Sequence, residues 1–356
     1  MHPITMMKPS SSFALLLALG FTAAGCSGAT PAAGGGGGDD TGGDDGGGDD
    51  GGDDVPQPLA IDGTYQLTST YDLATNMPGT VGTVVNELIS ATDDPDDPTA
   101  YIVDKLIAAL PDGTIKDYAQ QYSGFVTGYL NDRLEEVAPQ FVDTIIQVGD
   151  KFGQVAKGFG LLETLAIDTS GNAVITVTGV HFKIDNIDLE YAFSDYGLND
   201  VTVDGVNASI DTTGKLTISN HALALQYGQM LHLAMDEAII PLIDPSAANL
   251  SDLLHDEVDC QSVGEYVYDA LDFGSASTYE TACTAGLSAM ATLVYSEIDH
   301  INSSALTFTE SGLAKGLDKD HDGKMDAIQT GKWDGTLTYA TSDAPMATAT
   351  FIGTRQ

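Results

Sequence analysis

Basic residues are scarce in this chain. Its 356 residues include 13 Lys and Arg against 52 Asp and Glu, a formal charge of −39. Binding to a phosphate backbone needs clustered cations, so the shortage argues against nucleic acid as a partner and against electrostatic docking on anionic lipid. Cysteine is scarce too. The three residues show no CxxC or Cys/His spacing, so they do not suggest zinc. Apolar runs are short, and the N-terminal one, residues 13–21, cannot span a bilayer. The common catalytic signatures are also missing: there is no HExxH, no phosphate-binding loop, no GxSxG and no GxGxxG after a strand. Gly286-Leu287-Ser288-Ala289-Met290 lacks the second glycine and lies inside a helical pattern. What the charge favours is solubility and cations. A hydrophobic content of 42% is enough for a real core.

The N-terminus has the layout of a targeting segment. Lys8 supplies a positive region, residues 13–21 (FALLLALGF) an apolar one, and Thr22-Ala23-Ala24-Gly25-Cys26 small residues ending in cysteine. The AAGC stretch resembles the lipobox of bacterial lipoproteins. That resemblance implies a signal peptide of residues 1–25, a thioether-linked lipid on Cys26 and acylation of the new amine. Several acyl chains anchor a protein stably where one is marginal. Ser27 follows the cysteine. In the Gram-negative sorting pattern, a residue other than Asp there implies the outer membrane. The expected location is therefore the bacterial cell envelope, anchored at the outer membrane and facing the periplasm or the cell surface. With Cys26 lipidated, Cys260 and Cys283 remain, and an oxidising compartment would let them pair. Such a bridge would contribute ~3 kcal/mol on the chain-entropy model. Two buried free thiols are the alternative.

Residues 26–56 are a Gly/Asp-rich stretch with almost no apolar residue, which reads as a flexible, self-repelling tether. Residues 57–356 read as a single α+β domain. Strand character at 61–73 gives way to helical spacing at 81–89, 101–110, 118–134 and 141–162, with a break at 93–98. A period of two then marks strands at 165–167, 173–180, 182–193, 201–210 and 215–219, punctuated by Gly-containing turns. Helices return at 230–243, 247–254, 263–271 and 279–301. Strands at 305–312, 326–329, 333–340 and 347–353 end the chain. This order predicts an antiparallel, barrel-like sheet packed against two groups of helices. Pairing of the first and last strands would close it and remove its edges.

Residues 318–326 read DKDHDGKMD. Counted from Asp318, carboxylates fall at positions one, three, five and nine: Asp318, Asp320, Asp322 and Asp326. Gly323 stands at six, where a sharp turn is needed, and the Lys324 carbonyl at seven can point inward. Hard Ca²⁺ takes six to eight oxygens in this manner. DxDxDGxxD resembles the EF-hand loop, although Gln329 stands where that loop carries a bidentate Glu. It also resembles the calcium loops inserted in β-hairpins of FG-GAP and integrin-like repeats, which end their ligand set at position nine. Strands on both sides favour the second resemblance. It implies a structural calcium pinning a hairpin near the C-terminus.

Other candidates are bland. His232 and Asp236 have i, i+4 helical spacing and read as a surface pair. His255-Asp256-Glu257 and Asp299-His300 read the same way. Tyr227, Met230, Leu231, Met235, Ile239 and Ile240 could line an acyl-chain pocket, but core packing is the simpler reading. The functional expectation is a non-catalytic binding or structural module, monomeric and held to the membrane by lipid. Its partner would be an envelope protein or a hydrophobic ligand. A hydrolase using a carboxylate or His cluster is the alternative, because the separation of carboxylates is invisible in sequence.

Overall fold

A computed structural model describes residues 57–93, 139–271 and 274–356. Cys26, the tether, the expected helices at 101–110 and 118–134 and most of the break at 93–98 lie outside the described residues. Strand β1 (Gly63–Tyr71) precedes helix α1 (Gly79–Asp93). Helix α2 (Pro139–Lys157) leads into β2 (Phe159–Ile167), β3 (Asn172–Ile184), β4 (Ile187–Ala192), β5 (Val201–Ile210) and β6 (Lys215–Leu225). A helical stretch follows: α3 (Tyr227–Leu233), a π-helical turn (Ala234–Ile239), α4 (Ile240–Ile243), α5 (Leu250–Glu257), α6 (Cys260–Leu271) and α7 (Ala276–Ile301). Strands β7 (Leu306–Leu317), β8 (Ala327–Tyr339), β9 (Ser342–Pro345) and β10 (Ala349–Arg355) complete the chain.

Strands β1, β2, β3, β5, β6, β7, β8 and β10 pair antiparallel in that order, and β10 returns to β1. The result is a closed eight-stranded barrel, with β4 and β9 as hairpin extensions of β3 and β8. Closure leaves these eight strands without a free edge along most of their length. Period-two patterning decides which side chains fill it. In β1, Tyr65, Leu67, Ser69 and Tyr71 are buried, while the residues between them are half-buried or exposed. Tyr71 meets Phe308 edge to face across the interior, with ring centroids 5.0 Å apart, and Trp333 stacks on Phe351 at 4.2 Å.

The strand directions put both helical groups at one end of the barrel. The chain leaves β1 and re-enters at β2 by way of α1 and α2, and it leaves β6 and re-enters at β7 by way of α3–α7. Phe159 at the start of β2 packs against Phe182 and against Tyr227 at the start of α3, which seats the helices on this end. Capping residues set two of the helix starts. Asn249 accepts from the Asp252 N–H at 3.0 Å for α5, and Ser275 accepts from the Thr278 N–H at 3.3 Å for α7. The disulfide is present: Cys260 at the start of α6 is bonded to Cys283 in α7.

The opposite end carries the short connections, each opened by an aspartate. Asp168 accepts from the N–H groups of Ser170 and Asn172 at 2.8 and 2.9 Å. Asp211 does the same for Thr213 and Lys215 at 2.8 and 3.0 Å. Such side-chain-to-backbone bonds shape a turn. The Asn172 side-chain amide and the Thr213 hydroxyl, joined by these backbone donors, hold the two carboxyls below their ordinary pKa. The third connection is the loop after Leu317.

Several boundaries differ from the sequence reading. β6, expected at 215–219, runs to Leu225, and β7, expected at 305–312, runs to Leu317. The helix expected to reach 162 ends at Lys157, because β2 must start at Phe159: a Cβ at Gly160 would sit 2.4 Å from the His181 carbonyl oxygen of the neighbouring strand. The expected break near 181 is absent. β3 runs on to Ile184 with Thr178 as an extra residue against β2, and the turn is Asp185-Asn186, both at positive φ. The segments 326–329 and 333–340 are one strand, β8, bulged at Thr330. Strand β9 was not expected at all.

Candidate functional site

The aspartate loop joins β7 to β8, as the flanking strand patterns predicted. Asp318 organises it from within. One carboxylate oxygen accepts from the His321 and Asp322 N–H groups at 2.6 and 3.2 Å, and the other accepts from Gly323 N–H at 2.8 Å. Burial opposes ionisation of Asp318, but these three donors outweigh it and hold the carboxyl below its ordinary pKa. His321 and Gly323 both take positive φ, at 65° and 85°. Nothing lies within 4 Å of where a Cβ at Gly323 would be, so glycine is needed there for backbone freedom rather than space. Asp326 accepts from the Lys319 N–H at 2.7 Å.

Three of the four predicted carboxylates converge. Asp318, Asp320 and Asp326 each offer an oxygen within 4.8 Å of the others. Asp322 is not in that group. It accepts from the Lys324 N–H at 2.8 Å and pairs with the Lys324 ammonium at 3.2 Å, and both hold it ionised. The carbonyls beside Lys324 are occupied: Gly323 O accepts from Ala60 N–H, and Met325 O from Arg355 Nε and the Tyr65 hydroxyl. Among the described residues, the Lys324 carbonyl has no such donor. The loop is also strapped to both chain ends of the barrel. Ala60 forms a two-bond bridge across Lys324, and Arg355 N–H donates to Asp326 O at 2.8 Å.

A second constellation lies inside the barrel and was not legible as a site. Glu163 (β2), Glu310 (β7), His221 (β6), Ser69 and Tyr71 (β1) and Trp333 (β8) are all buried. Ser69 donates to Glu163 and accepts from Trp333 Nε1 at 3.1 Å. Tyr71 donates to Glu310 at 3.1 Å. His221 Nδ1 lies 3.0 Å from Ser219 O, and its Nε2 lies 3.7 Å from Glu310. Burial pushes the Glu163 carboxyl up to about 7, against the Ser69 hydrogen bond. Glu310 is raised well above its ordinary range by burial and by the neighbouring Glu163 charge. Burial lowers His221, so burial disfavours the charged form of all three groups. The second Glu310 oxygen has no partner among the described residues. A signal existed in the sequence: both glutamates occupy inward positions of alternating runs, between Leu161 and Leu165 and between Phe308 and Gly312.

The histidines on the helices behave differently from the i, i+4 reading. His232 does not pair with Asp236. It pairs with Asp299 of α7 at 2.9 Å and stacks on Tyr295, whose hydroxyl donates to Asp236. Burial raises the Asp236 carboxyl, against the Tyr295 hydrogen bond and the His232 charge. His255 Nε2 lies 3.0 Å from Ser288 Oγ, but Ser288 donates to the Thr284 carbonyl at 3.1 Å. The serine therefore acts as acceptor toward His255, the reverse of a nucleophile facing its base. Tyr227, Met230, Leu231, Met235, Ile239 and Ile240 are all buried in the core.

No protein-family model matches this chain, and no curated protein or solved structure matches it either. The function rests on the residues themselves.

Proposed function

We propose that this chain is a lipid-anchored module of the bacterial cell envelope that catalyses no reaction, with a structural Ca²⁺ in the 318–326 loop. The observation that carries the reading is the convergence of Asp318, Asp320 and Asp326 on a hairpin loop tied to Ala60 and Arg355. Three carboxylates so close repel until a cation neutralises them, and the Lys324 carbonyl, which has no donor among the described residues, would be the next oxygen to turn to the ion. Ca²⁺ there would fasten the seam where β1, β10 and β8 close the barrel. Asp322, committed to Lys324, would join only by turning or through water. The anchor on Cys26 rests on the lipobox resemblance.

Sealing of the interior cluster supports the non-catalytic reading over a hydrolase. Glu163 and Glu310 are each 1% exposed, so a substrate would have to open the barrel to reach them. The apolar set on α3 and the π-helical turn is spent on core packing, which favours an envelope protein over an acyl chain as partner. The test is thermal unfolding of the full chain with Ca²⁺ and with EDTA. At a hundredfold excess over Kd, binding stabilises by about 2.7 kcal/mol, a rise in Tm of roughly 5 °C or more. Asp318→Asn together with Asp320→Asn should abolish the rise. Equal melting with Ca²⁺ and EDTA would remove the metal from the proposal. Mass analysis of the mature N-terminus separately tests acylated Cys26.

A further inference from the structure

Basic side chains gather on the barrel's outer wall, against the acidic character of the chain. Across β6, β7 and β8, an open groove of ≈ 440 Å³ is lined by Lys215, Lys315 and Lys332, with Leu313 and Thr330 between them. Three of the chain's 13 basic residues thus meet in one concavity. The strand register makes the crowding direct. Lys215 stands opposite Lys315, and Lys332 opposite Leu313. Like charges facing each other across a strand pair destabilise it. Carboxylates outnumber cations fourfold in the chain as a whole, so acids are available to neutralise such a pair from within. They do not: none of the three lysines forms an ion pair among the described residues. Asp334 lines the groove, and Asp211, whose carboxylate accepts from the Lys215 backbone N–H, feels the Lys215 charge without pairing with its ammonium group.

The backbone adds an independent sign. At the bulge in β8, Thr330 is the extra residue against both β7 and β10, and it takes φ 52°. A β-branched residue in this region is strained, and such strain concentrates at ligand sites. Bulges also re-aim side chains beside binding sites. Leu313, 40% exposed, supplies an apolar surface between the ammonium groups.

We propose that this groove binds a phosphate group carried by a larger molecule, with Lys215, Lys315 and Lys332 as its cationic contacts and Leu313 against the adjoining apolar part. The net charge of the chain repels an extended polyanion, while a local triad of ammonium groups suits a single phosphate. The site is separate from the aspartate loop and stands whether or not calcium occupies it.

The test is a titration of the full chain with inorganic phosphate, glycerol 3-phosphate and monomeric dihexanoyl phosphatidylglycerol, at constant ionic strength against chloride. Binding is expected to saturate and to move the amide resonances of Thr213, Leu313 and Lys332. Lys315→Glu and Lys332→Glu should each weaken it about tenfold or more. If charge reversal perturbs folding, Lys315→Gln and Lys332→Gln give the same comparison with the stem retained. A tighter short-chain lipid assigns the phosphate to a lipid headgroup, whereas equal affinity for both glycerol compounds assigns a soluble phosphate ester. Responses identical to chloride, resonances moving only elsewhere, or affinities unchanged in the lysine variants would overturn the proposal.

Discussion

Ser69 joins three strands through one hydroxyl: it accepts from the Trp333 indole at 3.1 Å and donates to Glu163. Replacing it with Ala leaves a buried indole N–H and a buried carboxyl without their partner. Ser69→Ala should therefore cost roughly 1–3 kcal/mol in urea unfolding. Trp333 is the chain's single tryptophan, so its fluorescence should shift in the same variant. Unchanged stability together with unchanged emission would mean the bond contributes nothing.

The buried glutamates set a pH dependence. Glu163 titrates near 7 when folded and near its ordinary 4.5 when unfolded. Between those values the folded chain holds a proton that the unfolded chain has released. Stability is therefore greatest at the acid side of this window, falls as pH rises from about 4.5 to about 7, and levels off beyond. Glu310, raised further, extends the fall to higher pH. Glu163→Gln should remove its share, about 3 kcal/mol above pH 7. Denaturation midpoints across the pH range check this, and a profile with the same slope in the variant would falsify it.

The Cys260–Cys283 bridge closes a loop of 23 residues between α6 and α7. Cys260→Ala with Cys283→Ala should lower stability by about 3 kcal/mol. Hydrogen exchange should rise first in α6, which packs chiefly on α7, and leave β1 and β2 protected. Equal loss of protection in helices and barrel would show that the bridge supports the whole domain.

Thr330 offers a test of strain. Glycine, with no Cβ, accepts φ 52° without steric cost, so Thr330→Gly should raise stability by up to about 1 kcal/mol. A clear loss in calorimetry would mean that the threonine side chain makes a compensating contact.

The sequence was most legible where one local signal sufficed. β5 was placed at 201–210 because turn residues flank a run of strand-type residues, and the bulge at Gly205 did not split it. The aspartate loop was readable because its ligand candidates lie within nine consecutive residues. Interrupted alternation hid the rest: the extra Thr178 made one strand look like two, and the Thr330 bulge did the same to β8. β9, with Asp343 and Pro345, carries residues that strands usually avoid. The Glu163–Glu310 cluster is created by closure alone, since only the barrel brings β2 and β7 to face the same interior.

The way Ala60 is held has a mechanical consequence. The chain enters the barrel through this residue, whose N–H and C=O are bonded to Gly323 and Met325. Tension applied from upstream is met by these two bonds before it reaches the first strand, so the 318–326 hairpin behaves as a strain relief for the domain.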